Sequence, residues 1–385
     1  MAGPVYPWRS NNRFELLIDG DTFFPRLMEA MHEATDSIDV EIYLVTSGQS
    51  SGSVIDALIE AVSRGVKVRC LLDGVGSKGL EDHEREQLLK GGVELRFYNP
   101  INLFGGEGNL HRDHRKLLII DRLRVFIGGT GFTDEFCQPS DNGYCQWHEH
   151  MLEVQGEVVA DWIDLFERQW SVSGGGWRRI PPRLRRVSLP APPPPGDGYA
   201  RVSYTDAREH HDVLHELLAN IARSKTCVWL ATPYFLPAWA VRRALMRAAR
   251  RGVDVRLLLS GQIHDHPAVR YAGQRYYAAL LKAGVRIFEY KPRFLHLKCV
   301  LVDHWVSLGS CNFDHWSLHW NLEANQNAVD SRLTADVRRS FETDFDQSRE
   351  WTLAQWRGLP LRHRLKIRLW ASVNRLVRLW FSIKR

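Results

Sequence analysis

ALIEAVSRGVKVRCLLDG, residues 57–74, returns 187 residues later as ALMRAARRGVDVRLLLSG, residues 244–261. A second pair follows, LLKGGVELRFYNP at 88–100 and LLKAGVRIFEYKP at 280–292, offset by 192. Offsets near half of a 385-residue chain mean a duplicated, domain-sized unit, because solenoid repeats run only about 20–50 residues. Each copy alternates helix-period and strand-period segments. In the first, the pattern predicts helices over 21–35, 53–64 and 81–90 and strands over 37–45, 66–72 and 93–98. In the second it predicts helices over 209–224 and 238–251 and strands over 226–231 and 253–259. Strands alternating with helices predict an α/β fold: two tandem domains, each a mixed, largely parallel sheet flanked by helices, related by a pseudo-twofold axis.

Between the copies lies IPPRLRRVSLPAPPPPGDG, with seven prolines and no periodicity, which reads as an extended linker. The predicted division is therefore 1–179, a linker at 180–198, 199–350, and a C-terminal tail at 351–385. No apolar run reaches the roughly 20 residues of a membrane-spanning helix, and the N-terminus has no signal-peptide pattern. The six cysteines (Cys70, Cys137, Cys145, Cys227, Cys299, Cys311) show neither CxxC nor zinc spacing and read as reduced core residues.

Net charge is +6, but residues 361–385 hold eight Lys/Arg and no acid, so residues 1–360 stand at −2. That argues against a nucleic-acid-binding body. The tail plots as an amphipathic helix. Leu365, Leu369, Val373, Leu376, Trp380 and Ile383 form one stripe, with Arg364, Arg368, Arg375 and Arg378 across from it. Trp370, Trp380 and Phe381 add rings suited to a headgroup boundary. The pattern predicts an interfacial anchor on an anionic membrane; the competing reading is a helix packed on the body with a solvated basic face.

The chemistry lies in a repeated spacing. His114-Arg-Lys116-Leu-Leu-Ile-Ile-Asp121 is followed by Gly128-Gly129, and His296-Leu-Lys298-Cys-Val-Leu-Val-Asp303 by Gly309-Ser310-Cys-Asn312. Both are H-x-K-x4-D on an apolar strand entering a glycine turn. On a strand, residues i and i+2 share a face, so each His projects with its Lys. Two halves meeting about a twofold axis would bring two imidazoles and two ammoniums into one cleft. Lysines suit the equatorial oxygens of a phosphodiester. One imidazole can attack phosphorus while the other supplies the leaving group's proton. No metal-ligand cluster and no cofactor motif is found.

These residues resemble the phospholipase D superfamily, over roughly residues 12–350. Within it, the stretches LLDGVGSKGL, TPYFLP (232–237), GVRIFEYKPRFLHLK and GSCNFDHWSLHWNLEAN resemble bacterial cardiolipin synthases of the short form without N-terminal membrane helices. The resemblance implies a catalytic set of His114, Lys116, Asp121, His296, Lys298 and Asp303. His114 would be the nucleophile and His296 the acid and then base, and Lys116, Lys298 and Asn312 would hold phosphate oxygens. Asp121 and Asp303 would stabilise local backbone and ion pairs rather than touch substrate. Family position makes Glu149 and Glu323 the carboxylates that orient the imidazoles. The implied reaction transfers a phosphatidyl group between two phosphatidylglycerols, at the cytoplasmic face of the cell (inner) membrane, through a phosphatidyl-histidine intermediate. Tyr234 and Phe235 are candidates for a wall that excludes water.

Two departures stand out. Gly131 occupies a position where the family usually has Asn, leaving the hydroxyls of Thr130 or Thr133 as substitutes. The second copy is also one residue shorter between the motif aspartate and the glycine turn. The alternatives are a hydrolytic phospholipase D or another phosphatidyltransferase, a nucleic-acid phosphodiesterase, and a lipid-binding pseudoenzyme disabled at Gly131.

Overall fold

The computed structural model describes residues 5–102, 106–137, 146–173, 197–206 and 210–383; the side chains of Glu107, His315, Trp316, His319 and 377–383 are not described. Cys145 and nearly all of the proline-rich segment, 180–196, lie outside the described residues. The first copy runs β1 (Asn12–Ile18), α1 (Gly20–Glu33), β2 (Ser37–Ile42), α2 (Gln49–Ser63), β3 (Lys67–Asp73), α3 (Asp82–Lys90), β4 (Glu94–Tyr98), β5 (Arg112–Asp113), β6 (Lys116–Ile120), β7 (Arg124–Gly128), β8 (His150–Gly156) and α4 (Val159–Val172). The second runs β9 (Tyr199–Asp206), α5 (Asp212–Arg223), β10 (Cys227–Thr232), α6 (Trp239–Arg250), β11 (Asp254–Ser260), α7 (Pro267–Gln274), α8 (Tyr277–Lys282), β12 (Arg286–Tyr290), β13 (Cys299–Val302), β14 (Trp305–Gly309), α9 (His315–Trp320), β15 (Asn321–Val329), α10 (Ser331–Asp346) and β16 (Ser348–Trp351). Two helices close the chain, α11 (Leu353–Arg357) and α12 (Leu361–Ile383).

The duplication is legible in the sheets. The first is ordered β1-β8-β7-β6-β2-β3-β4, and the second contains β9-β15-β14-β13-β10-β11-β12, strand for strand the same order. The second sheet adds β16 beside β12 and β5 beside β15. Both sheets are mixed, but they are less parallel than the helix–strand alternation predicts. Within each copy only β2-β3-β4 and β10-β11-β12 pair in parallel, and apart from the short β5–β15 pairing between the copies the other ladders are antiparallel. The reason is connection length: β6 to β7 and β13 to β14 are tight hairpins, which force antiparallel pairing. Gly65 and its repeat Gly252, at φ 91° and 89°, end α2 and α6 in the left-handed conformation that favours glycine.

The strands are buried on both faces. Along β6, Leu117 and Ile119 enter a core shared by the two copies, while Leu118 and Ile120 face the helices of the first copy alone. The shared core also takes Trp162 and Phe166 of α4, Phe341 and Phe345 of α10, and Cys299 and Leu301 of β13. At about 25 cal/mol per Å² of apolar area, a continuous core of this kind supplies most of the association between the copies. The five described cysteines are free.

The missing residue in the second copy sits in the hairpin turn. Asp121–Leu123 separate β6 from β7, whereas Asp303 and His304 alone separate β13 from β14. Asp121 (φ 52°) and Asp303 (φ 51°) turn the chain in the left-handed region. The Asp121 carboxylate accepts the backbone N–H groups of Thr35, Asp36 and Ser37. Asp303 does the same for Lys225, Thr226 and Cys227. Each aspartate thus fastens the turn to the start of the neighbouring strand.

Helix α12 packs on α7 through Lys366, over the Tyr271 ring, and through His363, whose Nε2 lies 2.9 Å from Gln274 Oε1, and it buries Ile367. Its apolar stripe points the other way. Leu361, Leu365, Leu369, Val373 and Leu376 are 38–69% exposed. The tail is therefore docked on the body and still presents a leucine ridge to solvent. The rest of the stripe, Trp380 and Ile383 with Phe381 and Arg378, lies outside the described side chains.

Asp303→Ala removes an acceptor from three amides. Thermal melting should show a loss of about 1–2 kcal/mol with turnover per folded molecule within about twofold; a collapse in turnover without loss of stability would overturn this anchoring role.

Candidate active site

The two motifs converge through backbone pairing that exchanges segments between the copies. Segment β5 adds in parallel to β15 of the second sheet, and His114 N–H donates to Leu322 O at 3.0 Å. Reciprocally, His148 N–H donates to Phe294 O and His296 N–H to His148 O, both at 2.9 Å. Each histidine is thereby seated beside the other copy's carboxylate. His114 Nδ1 lies 3.0 Å from Glu323, and His296 Nδ1 lies 2.7 Å from Glu149. Both histidines stand just ahead of β6 and β13 rather than within them.

Both carboxylates are buried and further fixed. Glu323 accepts from Ser310 Oγ at 2.5 Å and from Asn321 Nδ2 at 3.2 Å. Glu149 accepts from Lys298 Nζ at 3.2 Å and from the His150 backbone N–H at 3.0 Å. Gly129 is required for this second arrangement. A Cβ there would stand 2.0 Å from Glu149 Oε2 and 2.8 Å from Lys298 Nζ. Its repeat partner is Ser310, which uses the extra atoms to bond Glu323.

With Nδ1 of each ring committed to a carboxylate, Nε2 carries the lone pair. The two rings differ in surroundings. Lys298 Nζ lies 2.8 Å from His296 Nδ1 and 3.1 Å from its Nε2, and Phe136, Trp147 and Phe294 surround that ring at 5.2–5.8 Å between centroids. His114 meets Tyr43 edge-on at 4.7 Å, and Lys116 Nζ lies 5.0 Å from the centre of the same tyrosine.

Burial dominates the electrostatics. It lowers His114, with Glu323 opposing, and lowers His296 well below 6.5, with Lys298 adding to the effect. It pulls Lys116 down to about 7 against the attraction of Glu323, and lowers Lys298 while raising Glu149. A dry site holding few net charges is thus poised to gain protons when an anion enters.

The remaining sequence candidates are distributed differently. Asp121 and Asp303 sit at the far ends of their strands, about 16 Å of extended chain from the lysines; their partners are backbone amides and threonine hydroxyls, with no ion pair. They hold the strand that presents the histidine and lysine, which is the backbone-stabilising role that the resemblance implies for them. Asn312 is buried, with Nδ2 3.4 Å from Ser317 Oγ and Oδ1 without a partner. At Gly131 no side chain fits, because a Cβ would meet Leu44 O at 2.5 Å. Thr130 has a buried hydroxyl with no partner, whereas Thr133 Oγ caps the Glu135 amide at 3.3 Å. Phe235 belongs to the outer core of the second copy. Tyr234 is the nearer of the pair, 6.4 Å from Phe294 and bonded to Asp265.

Sequence reasoning missed Tyr43, Trp147 and Phe294, because single aromatic residues at strand ends carry no spacing signal. It also missed a clamp beside Glu149. His148 Nδ1 lies 2.8 Å from Asp19, and its Nε2 lies 3.2 Å from Asp344. Burial opposes its charge, but these two carboxylates push His148 up to about 9. His150 and Asp344 lie near enough to His148 to suggest a metal site. An imidazolium bonded at both nitrogens offers no lone pair, so the group reads as an ionic clamp between the copies.

The comparisons agree with this geometry. The family described as cardiolipin synthase, PLD-like domain, matches residues 27–170 and 217–345. Cardiolipin synthase B of Salmonella typhimurium is 36% identical over 339 residues, covering 87% of this chain and 81% of that protein. Cardiolipin synthase B of Escherichia coli K12 is 32% identical over 368 residues, covering 90% and 87%. Among solved structures, phosphatidylserine synthase of Haemophilus influenzae superposes with a TM-score of 0.73 over 97% of this chain and 96% of its own, at 13% identity, a likeness of fold.

Gly129→Ala should leave the melting temperature nearly unchanged and cut turnover at least about 100-fold by displacing Glu149 from His296. A Gly129→Ala protein with full activity would show that the carboxylate can shift without consequence. On its matched segments and its full-length relatives, the chain belongs to the cardiolipin synthase, PLD-like domain family.

Proposed function

We propose that this protein is a cardiolipin synthase: it transfers a phosphatidyl group from one phosphatidylglycerol to another, releasing glycerol. The observation that carries the reading is the pair of imidazoles, His296 buried and His114 partly so, each with Nδ1 on a carboxylate of the other copy and with lysines beside them. His114 is the better nucleophile of the two: the Lys298 ammonium stands within 3.1 Å of both ring nitrogens of His296, whereas Lys116 donates to the backbone carbonyl of His114.

In the first step His114 Nε2 attacks phosphorus and the bond from phosphorus to the glycerol oxygen breaks. His296, protonated as the anion enters, gives its proton to that oxygen. In the second step the terminal hydroxyl of another phosphatidylglycerol passes its proton to His296 and attacks the same phosphorus. The phosphorus–nitrogen bond breaks, cardiolipin forms, and His114 is restored. Lys116 and Lys298 hold the equatorial oxygens, with Asn312 beside them, and Glu323 and Glu149 keep the reactive tautomers. Phe136, Trp147 and Phe294 around His296 disfavour water as the acceptor.

The chain works at an anionic membrane surface in this reading. No helix among the described residues is long and apolar enough to cross a membrane, whereas α12 carries an exposed leucine ridge beside a row of arginines. An exposed ridge with basic flanks suits an interface between acyl chains and headgroups. The unpaired cysteines favour the cytoplasmic face.

The test is purified protein with labelled phosphatidylglycerol in vesicles, read by lipid chromatography beside His114→Ala. Labelled cardiolipin with released glycerol, both lost in the variant, is expected. Phosphatidic acid alone would make water the acceptor and end the synthase reading. The depressed histidines and Lys116 near 7 also predict proton uptake on anion binding at pH 7. A group whose pKa is depressed in the free site is partly deprotonated there and regains its proton beside a phosphate. Calorimetry of a phosphodiester inhibitor in buffers of different ionisation heat should give buffer-dependent enthalpies; identical enthalpies would overturn that expectation.

A further inference from the structure

A cavity of about 680 Å³ opens between α8, α11 and α12, on the body side of the tail helix. Its walls carry Arg275, Lys282, Arg357, Arg364, Arg368 and Arg375. Among the described residues no carboxylate lines it and none of the six makes a salt bridge; all six are exposed at its rim, and Arg364 donates to the Arg357 carbonyl. Six cations around one cavity repel one another, and a site of that kind is completed by an anion.

The cavity also has an apolar side. Trp356, Leu359 and Ile367 line it. On a helical wheel, Arg364, Arg368 and Arg375 fall on one flank of α12, about 85° from the exposed ridge of Leu361, Leu365, Leu369 and Leu376. A ligand whose phosphate sits among the arginines can therefore lay its hydrocarbon along the ridge. A free phosphate or a nucleotide would use the cations and leave the leucines idle. A zwitterionic lipid would bring a choline or ethanolamine ammonium into the basic wall.

We infer that this cavity is a second lipid site, separate from the catalytic cleft, which takes the phosphodiester headgroup of an anionic phospholipid drawn from the bilayer. The inference rests on the peripheral-membrane reading of α12 and adds to it a saturable, headgroup-selective site. It fixes how the tail docks: the leucine ridge enters the acyl boundary and the cavity stands at phosphate level. The lipid concerned has the same headgroup charge as the proposed substrate and product, so occupancy would report the anionic lipid content of the membrane.

The experiment uses the full chain carrying His114→Ala, so that no lipid is consumed. It is titrated calorimetrically with dihexanoyl phosphatidylglycerol kept monomeric. Two classes of saturable site are expected, one in the cleft and one in the cavity. Arg275→Gln/Lys282→Gln should weaken one class on the order of thirtyfold and leave the other unchanged. The charge-conserving Arg275→Lys/Lys282→Arg should restore it. Identical titrations of the parent and the Gln variant would overturn the inference. So would equal binding of dihexanoyl phosphatidylcholine at that class, or its displacement by millimolar inorganic phosphate, which would make it a free-anion site. Flotation with phosphatidylglycerol vesicles keeps the two readings apart. Failure of the parent chain to float, with the monomer result intact, would end the membrane reading of α12 and leave the cavity a lipid site.

Discussion

Two hydrogen bonds between imidazole and carboxylate, each made from one copy of the repeat to the other, set the conditions that the rest of the molecule meets. His114 takes its partner from β15, and His296 takes its partner from the residue before β8. Neither copy alone contains an oriented histidine. The copies must therefore meet with little freedom, because an imidazole turned away from its carboxylate loses both tautomer and aim. Three features supply that constraint. The sheets share one core, short segments cross to pair with the opposite copy, and His148 ties Asp19 to Asp344 across the junction. The clamp is one residue from Glu149, so the charge that joins the copies also fixes the carboxylate that orients His296.

Burying these groups has an electrostatic cost that the site uses. Two lysines, two histidines and two glutamates stand in a dry cleft, where desolvation disfavours every isolated charge. Burial, with the mutual repulsion of the cations adding to it, pulls the lysines and histidines down, and burial raises Glu149. An arriving phosphodiester supplies the missing negative charge. In the proposed reaction it would stabilise lysine as ammonium and the acid histidine as imidazolium, so that substrate binding sets the protonation state. An apolar site without an anion holds that state weakly, which limits idle proton transfer to water.

Much of this was legible in the amino-acid order. The repeat at 57–74 and 244–261 revealed the duplication, and the paired H-x-K-x4-D spacing located the cleft. Other features were hidden for physical reasons. The helix–strand alternation that predicts parallel sheets holds for β2-β3-β4 and β10-β11-β12. It is silent on the hairpins at Asp121 and Asp303, whose left-handed aspartates turn the chain back. Strand membership of Asp121 said nothing about which amides it would meet, so the partners of its backbone-stabilising role, Thr35, Asp36 and Ser37, come only from the fold. The tail showed the limit of a helical wheel. Periodicity found the leucine stripe and the arginine row, but burying the stripe or exposing it depends on what Lys366 and His363 meet on α7.

The repeat has diverged most where it serves the two histidines. After β7 comes Gly129, whose missing side chain admits Glu149 and Lys298; after β14 comes Ser310, whose hydroxyl grips Glu323. Two residues further, Gly131 lies against Leu44 O with no room for a side chain, while Asn312 keeps its amide beside Ser317. One imidazole therefore shares its carboxylate with an ammonium, and the other shares its carboxylate with a hydroxyl and an amide. These are different environments for the same ring. In the proposed reaction, an ammonium 2.8 Å from Nδ1 and 3.1 Å from Nε2 of His296 opposes attack on phosphorus by that ring, but it does not prevent passing a proton to a departing oxygen. A neutral hydroxyl on Glu323 leaves more of that carboxylate's charge to act on His114, which raises its nucleophilicity. Duplication alone would have produced two equivalent histidines. The substitutions in the glycine turns make them unequal, in the sense that a reaction needing one nucleophile and one acid requires.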